Sequence, residues 1–414
     1  METKVKEFEH FRLHTIVNKK FKRCAIEIHF RNKNTKERMT NLYSLLKLMN
    51  RGTKTNPSLK ELNKRKEYLY GLSTSCYSSP NANVMDAVVF GEFLNPKYVD
   101  DKNYLDDIIK FLFDYIKEPL LSEKDFNIVK EEIKLTIKKQ NENLSSKAFL
   151  QSKKTVDCIL NIDPFDVEED VDKVHLSDLK EALKDMIDNY AIDIYVIGNL
   201  DMDEIEKKII DNSPFISNPV CNYDYNDFVS HRDVIEVEEK DKFEQSMIVY
   251  YYSFEDLSRD ERLYEATVLG DVLGSGLNSL LYKDIREKYS LCYNLSAIYM
   301  RHFNILRIMV GVDKKNIEKA KERIEYIMNN LDTLINKNNV KDARLNIING
   351  ILTNTDSVDY LLFESDAVFN KVIDPMDIKL KKFESVTDKS IKSILPKMKE
   401  YTKYVLVGDK NEDN

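Results

Sequence analysis

Apolar and polar positions alternate through Cys24-Ala25-Ile26-Glu27-Ile28-His29-Phe30, as they do in a half-buried strand, and a helical stretch opening at Glu37-Arg38-Met39 follows and runs to Gly52. The same pair recurs later. Ser246-Met247-Ile248-Val249-Tyr250-Tyr251 is strand-like, and Glu261-Arg262-Leu263 opens a helical stretch that ends at Gly274-Ser275-Gly276, an offset of 261 − 37 = 224 residues. The ends of the two halves also match. Leu179-Lys180-Glu181-Ala182-Leu183 leads into Ile192-Asp193-Ile194-Tyr195-Val196-Ile197-Gly198, and Ile391-Lys392-Ser393-Ile394-Leu395 leads into Tyr404-Val405-Leu406-Val407-Gly408, 408 − 198 = 210 residues on. A duplicated α+β domain accounts for both repeats.

The stretch 213–232 is rich in Pro, Asn, Asp and Ser and lacks a period, so it is assigned as a linker between domains spanning 1–212 and 233–414. Within each half, strands precede long amphipathic helices rather than alternating with them. That pattern predicts an α+β fold, a mixed or antiparallel sheet with helices packed on one face. Ser58 with Glu61 three residues on forms a capping box, and Gly71 stops that helix. Leu105, Ile108, Ile109, Leu112, Phe113 and Ile116 give the next helix a continuous apolar stripe, ended by Pro119. Gly274-Ser275-Gly276 follows a helix and lacks the Lys-Ser/Thr of a phosphate loop, which makes it a helix C-cap.

At 414 residues the chain is long enough for two hydrophobic cores. A net charge of −8 is expected to disfavour nucleic acid, whose phosphates call for a basic face. The opening Met1-Glu2-Thr3-Lys4-Val5-Lys6-Glu7 has no apolar run behind it, so a secretory signal is not expected, and no segment reaches the roughly 20 apolar residues of a membrane span. A cytoplasmic protein is the expectation. Cys24, Cys76, Cys158, Cys221 and Cys292 are odd in number and form no Cys-x-x-Cys pair, which points to buried small hydrophobes. His10 and His14 have a helical chelating spacing, but their surroundings read as a strand, where four residues span about 13 Å, too far for one ion. His29, His175, His231 and His302 are scattered and expected to be surface or satisfied core residues. Tyr250-Tyr251-Tyr252 suits peptide contact by composition alone.

In their order and spacing, Lys20-Phe21-Lys22, the strand to Phe30, Arg51-Gly52-Thr53, Leu69-Tyr70-Gly71 and Leu281-Tyr282 through Ile285-Arg286-Glu287-Lys288-Tyr289-Ser290-Leu291-Cys292-Tyr293 resemble the pitrilysin/insulinase-type (inverzincin) zinc peptidases. Within them, the chain is most similar to short bacterial members that lack the zinc motif and are associated with elongation factor P modification. The resemblance implies two tandem LuxS/peptidase-like domains per chain, and two chains closing around a peptide-sized chamber. It also puts a helix bearing His-x-x-Glu-His where this chain reads Tyr43-Ser44-Leu45-Leu46-Lys47. Tyr43 and Lys47 then stand at the histidine positions and Leu46 at the general base. Glu131 or Glu132 falls near the third ligand.

A catalytic zinc needs three protein ligands and an open position, so a lone carboxylate beside a lysine is expected to bind no metal. By the same resemblance, Arg286 and Tyr293 match the pair that contacts substrate backbone and the reacting carbonyl. The expected function is that of a catalytically inactive subunit paired with a related chain that retains His-x-x-Glu-His, with zinc on that partner and none here, and with a peptide as substrate. The alternative is a non-proteolytic binding or assembly protein associated with elongation factor P modification.

Overall fold

β3 (Arg23–Lys33) spans 11 residues at the middle of the first sheet, and its alternation assigns each side chain to a face. Cys24, Ile26, Ile28 and Phe30 turn to one side, Ala25, Glu27, His29 and Arg31 to the other. In this computed structural model, which describes residues 2–215 and 223–409, six strands make up that sheet. They are β1 (Glu2–Glu7), β2 (Arg12–Val17), β3, β4 (Ser73–Ser78), β5 (Val84–Leu94) and β6 (Ala191–Gly198), in the order β1-β2-β6-β3-β5-β4. Only β2 and β6 run parallel. Cys221 and part of the 213–232 stretch lie outside the described residues.

The first unit holds α1 (Lys36–Met49), α2 (Leu59–Tyr68) and α3 (Tyr104–Lys117), and α3 lies on the Ile26–Ile28 side. Ser58 caps α2 by accepting from the Glu61 amide while its hydroxyl donates to the Glu61 carboxylate, and Gly71 leaves the helix at φ 74°. All six apolar stripe residues of α3 are buried, each contributing roughly 1.5–3 kcal/mol of transfer free energy. Gly91 lets α3 sit close to β5, since a Cβ there would lie 2.5 Å from a Leu112 methyl. A bulkier residue at 91 would push the helix off the sheet.

The second sheet repeats the design with β7 (Ile235–Asp241), β8 (Gln245–Phe254), β9 (Cys292–Met300), β10 (Ile305–Asp313) and β11 (Met398–Gly408), in the order β7-β11-β8-β10-β9. Its one parallel pair joins its first and last strands in sequence, β7 and β11, as β2 and β6 are joined in the first sheet. Strand order and parallel pair match β2-β6-β3-β5-β4, so the sequence repeat is a topological one. Gly274 ends a helix packed on β9, where a Cβ would lie 2.2 Å from the Ala297 amide. The Gly-Ser-Gly motif thus serves close packing. Tyr250, Tyr251 and Tyr252 are each at most 3 % exposed, which makes them core residues rather than a peptide-contact surface.

The chain is not divided by a single cut. The first unit comprises 1–138, 163–225 and 357–370, the second 139–162, 226–356 and 371–414. Each half therefore lends the other a segment carrying one helix, α5 (Leu144–Ser152) in one direction and the helix Val358–Phe369 in the other. In both units the borrowed helix packs on the face that the unit's own helices leave bare. Among the described residues no helix is long and apolar enough to cross a membrane.

Candidate functional site

α1 begins at Thr35, which accepts from the Arg38 amide, and its end is pinned to the edge strand β4. Asn50 donates to the Cys76 carbonyl at 2.7 Å and accepts from the Cys76 amide at 2.8 Å. On this helix Leu46 is 1 % exposed and buried in the core, while Tyr43 and Lys47 are half-buried. The Lys47 ammonium lies 5.0 Å from the centre of the Tyr43 ring, and that ring meets Phe165 edge-on at 6.2 Å. The two positions one helical turn apart are thus occupied by a cation and the π face it rests on.

Glu132 receives the Arg51 guanidinium at 2.9 Å, just beyond the end of α1. Glu131 points elsewhere, accepting from Lys134 at 3.2 Å. An aliphatic core residue, an ammonium and an arginine-paired carboxylate do not fit zinc. Among the described residues no group of three or more His, Cys, Asp or Glu is placed to hold a metal ion.

Arg286 and Tyr293 belong to the second unit, on either side of a helix-to-strand turn. Arg286 is exposed on a π-helical segment, its guanidinium 5.2 Å from the Tyr282 ring. Tyr293 is 59 % exposed on β9, the edge strand of its sheet, with its hydroxyl 3.4 Å from Asp313. Both are accessible to an incoming group, although the Tyr293 hydroxyl already donates to Asp313.

The first sheet holds a feature on its other face. Arg12, His14, Glu27, His29, Arg31, Asp86 and Asp193 are all buried there. Arg12 makes a two-pronged contact with Asp193 at 2.6 and 2.7 Å, and His14 Nε2 lies 2.8 Å from the same carboxylate. Arg31 is shared by three acids, donating to Asp193 at 2.9 Å, to Asp86 at 3.0 Å and to Asp366 of the helix Val358–Phe369 at 2.7 Å. The Tyr195 hydroxyl donates to Asp366 at 2.6 Å. Phe369 completes the cover, with the Arg12 guanidinium 4.8 Å over its ring and His14 edge-on to it at 4.4 Å.

Burial works against every charge here, and only the partners reverse it. The Asp193 carboxyl is desolvated, but the His14 hydrogen bond and the Arg31 charge hold it well below the ordinary range. Asp86 is lowered likewise, chiefly by Arg31 and His29. For His29, burial is outweighed by the Asp86 carboxylate, and its pKa is raised to about 10. Its Nδ1 donates to Asp86 at 2.9 Å, while the nearby Arg31 Nη2 turns to Asp366. For His14 burial wins, and its pKa is lowered.

A cavity of about 390 Å³ opens beside this network, walled by Glu27, His29, Tyr77, Asp86, Val88, Phe90, Asp359, Phe363 and Asp366 among others. Sequence reasoning places neither network nor cavity. The available signal was Glu27, His29 and Arg31 at alternate positions of one strand, which reads as a solvated face.

A family model described as the peptidase M16 inactive domain matches residues 173–348. The chain is similar to a protein of Bacillus subtilis (strain 168) described as a probable inactive metalloprotease, YmfF, with 23 % identity over 95 % of both chains. Among solved structures it is similar to a conserved protein of Enterococcus faecalis V583, with a TM-score of 0.91 and 20 % identity over 99 % of this chain and 100 % of that one. It is also similar to a peptidase M16 inactive domain from Pseudomonas fluorescens, with a TM-score of 0.78 and 11 % identity over 99 % of both chains.

Proposed function

We infer the function from the premise that this chain belongs to the M16, or insulinase-type, peptidase family, as a member of its inactive kind. It acts as the non-catalytic subunit of a two-chain peptidase whose other chain retains His-x-x-Glu-His. The observation that carries this reading is selective loss. The positions that the resemblance matches to the zinc motif hold Tyr43, a core leucine and Lys47, whereas Arg286 and Tyr293 stand exposed on the second unit.

An extended peptide would add to a sheet edge through main-chain hydrogen bonds, with its side chains alternating between the two faces. Arg286 and Tyr293 would donate to a peptide carbonyl as negative charge develops on its oxygen. Zinc on the partner would supply the activated water that this chain lacks. The partner, the chamber and the cytoplasmic setting are parts of this proposal.

Reconstitution tests it. The purified pair is expected to cleave peptides, and Arg286→Ala in this chain is expected to lower kcat/KM by roughly a hundredfold with assembly unchanged, as loss of one charge-stabilising donor does. Unchanged turnover would remove the shared-site role. A stable pair that cleaves nothing would favour a binding and assembly function associated with elongation factor P modification.

A further inference from the structure

We propose that a cavity on the α5 side of the second sheet binds a carboxylate carried on an apolar body, whether the C-terminal residue of a peptide or a free short-chain acid. The inference goes beyond the function proposed above and needs no partner chain, because the residues that line the cavity all belong to the second unit.

The observation that carries it is a cation with nothing to pair with. Arg307 of β10 lines this cavity of about 370 Å³. Among the described residues its guanidinium has no hydrogen bond and no ion pair, only the Phe149 ring of α5 at 4.6 Å. Its Nε is buried without an acceptor, but the residue as a whole is only half-buried, so the terminal nitrogens are the donors that a guest can reach. Burial lowers the Arg307 pKa, and the titratable neighbour that opposes this is the Tyr251 phenol rather than a carboxylate. A largely desolvated charge without a counter-ion is unfavourable, and an anion in the cavity would offset that cost.

The rest of the wall suits the same guest. In a chain of net charge −8, no acid lines the cavity among the described residues. The polar groups there are the hydroxyls of Ser145 and Ser146, in the first turn of α5, and Asn294 and Ser296 of the edge strand β9. The Asn294 side chain lies across Gly311, in space that a Cβ would take, and its Nδ2 donates to the Ser145 hydroxyl at 3.4 Å. With its oxygen accepting there, the Ser145 hydroxyl can still donate to a guest. The N-terminus of α5 adds partial positive charge at the same place. Met247 and Met309 join Phe149 as apolar wall for a stem. One arginine balances one negative charge. A carboxylate therefore fits, whereas a phosphate, with roughly two charges at pH 7, would leave one over.

The test uses the full chain and calorimetric titration with hexanoate, hexanamide, hexyl phosphate and an N-acetylated pentapeptide ending in leucine, as free acid and as C-terminal amide. Each acid is expected to bind about tenfold or more tighter than its amide. In Arg307→Met, which keeps an apolar stem, that ratio is expected to fall below about twofold, with an unfolding midpoint no lower than that of the native chain because no ion pair is lost. A second reading needs no variant. Modification of Arg307 by phenylglyoxal, followed by mass mapping, is expected to slow about tenfold in hexanoate and not in hexanamide. Peptide acid binding tenfold tighter than hexanoate would make a peptide C-terminus the guest, and equal or weaker binding a free acid. Equal affinity of acid and amide, an acid advantage that persists in Arg307→Met, or unslowed modification overturns the site. Hexyl phosphate binding tighter than hexanoate overturns its assignment to a carboxylate. None of these failures touches the subunit reading, which rests on other residues.

Discussion

The two sheets share the order of five strands, the placement of their one parallel pair and the use of a helix borrowed from the other half, yet the face under the borrowed helix of the first unit adds a buried charge network to its apolar contacts. In the second unit, Met247, Val249, Tyr251, Ile305, Met309, Tyr404 and Leu406 pack with Ala148 and Phe149 in an apolar layer. In the first, the cover rests on Arg31, Asp193, Asp86 and His29, latched to Asp366. One topology thus accepts either solution. The apolar one is adaptable, because hydrophobic swaps of like volume are tolerated. The charged one is not, because each member left without its partner is a buried uncompensated charge.

The largest expected effect is at Arg31. Arg31→Met takes the shared cation from three acids and should lower the stability of the first unit by about 3–5 kcal/mol, whereas Met247→Leu in the second should change it by less than about 1.5 kcal/mol. Chemical denaturation followed by hydrogen exchange in each unit reads both, and similar losses would erase the contrast.

Next comes pH. His29 is raised to about 10 in the folded chain from an ordinary value of 6.5, so its stabilisation is whole below about 6.5 and is lost as pH rises to about 10. The stability gap between the native chain and His29→Gln should therefore narrow across that window. Asp193 and Asp86 are lowered, so their contribution is present above the ordinary carboxylate range and fades in acid as pH falls towards their folded values. A gap that stays constant from pH 6 to 10 would deny His29 its charge.

Two tyrosines give a matched pair. Tyr195→Phe removes a bond to the Asp366 carboxylate and should cost about 1.5–3 kcal/mol, while Tyr251→Phe removes one to the Ser152 hydroxyl and should cost about 0.5–1.5 kcal/mol. The reverse order in thermal unfolding would mean that the latch is not electrostatic. The smallest effect belongs to Lys47→Met. It loses only a half-exposed contact with Tyr43 and should shift stability by less than about 1 kcal/mol, with no change in metal content by elemental analysis.

Much of this architecture is legible in the residues, because helix caps and apolar periods are local. The stripe from Leu105 to Ile116, the Ser58 cap and the repeated strand-helix pairs all lie where their patterns put them. The charged face is not legible, because its meaning depends on a partner far along the chain. Glu27, His29 and Arg31 look like a solvated edge until Asp366, 335 residues after Arg31, closes over them. The different partners of Glu131 and Glu132 are equally illegible, for the same cause. Adjacent helical residues diverge, and only the position of Arg51 distinguishes them. That Tyr43, Leu46 and Lys47 do not suit zinc is plain from sequence because it is a matter of which atoms can bind a metal.

The most direct test of the account is peptide hydrolysis by this chain alone and mixed with a related chain bearing His-x-x-Glu-His, each with and without a chelator. The account predicts no cleavage by this chain alone and chelator-sensitive cleavage by the pair. Chelator-sensitive cleavage by this chain alone would contradict it.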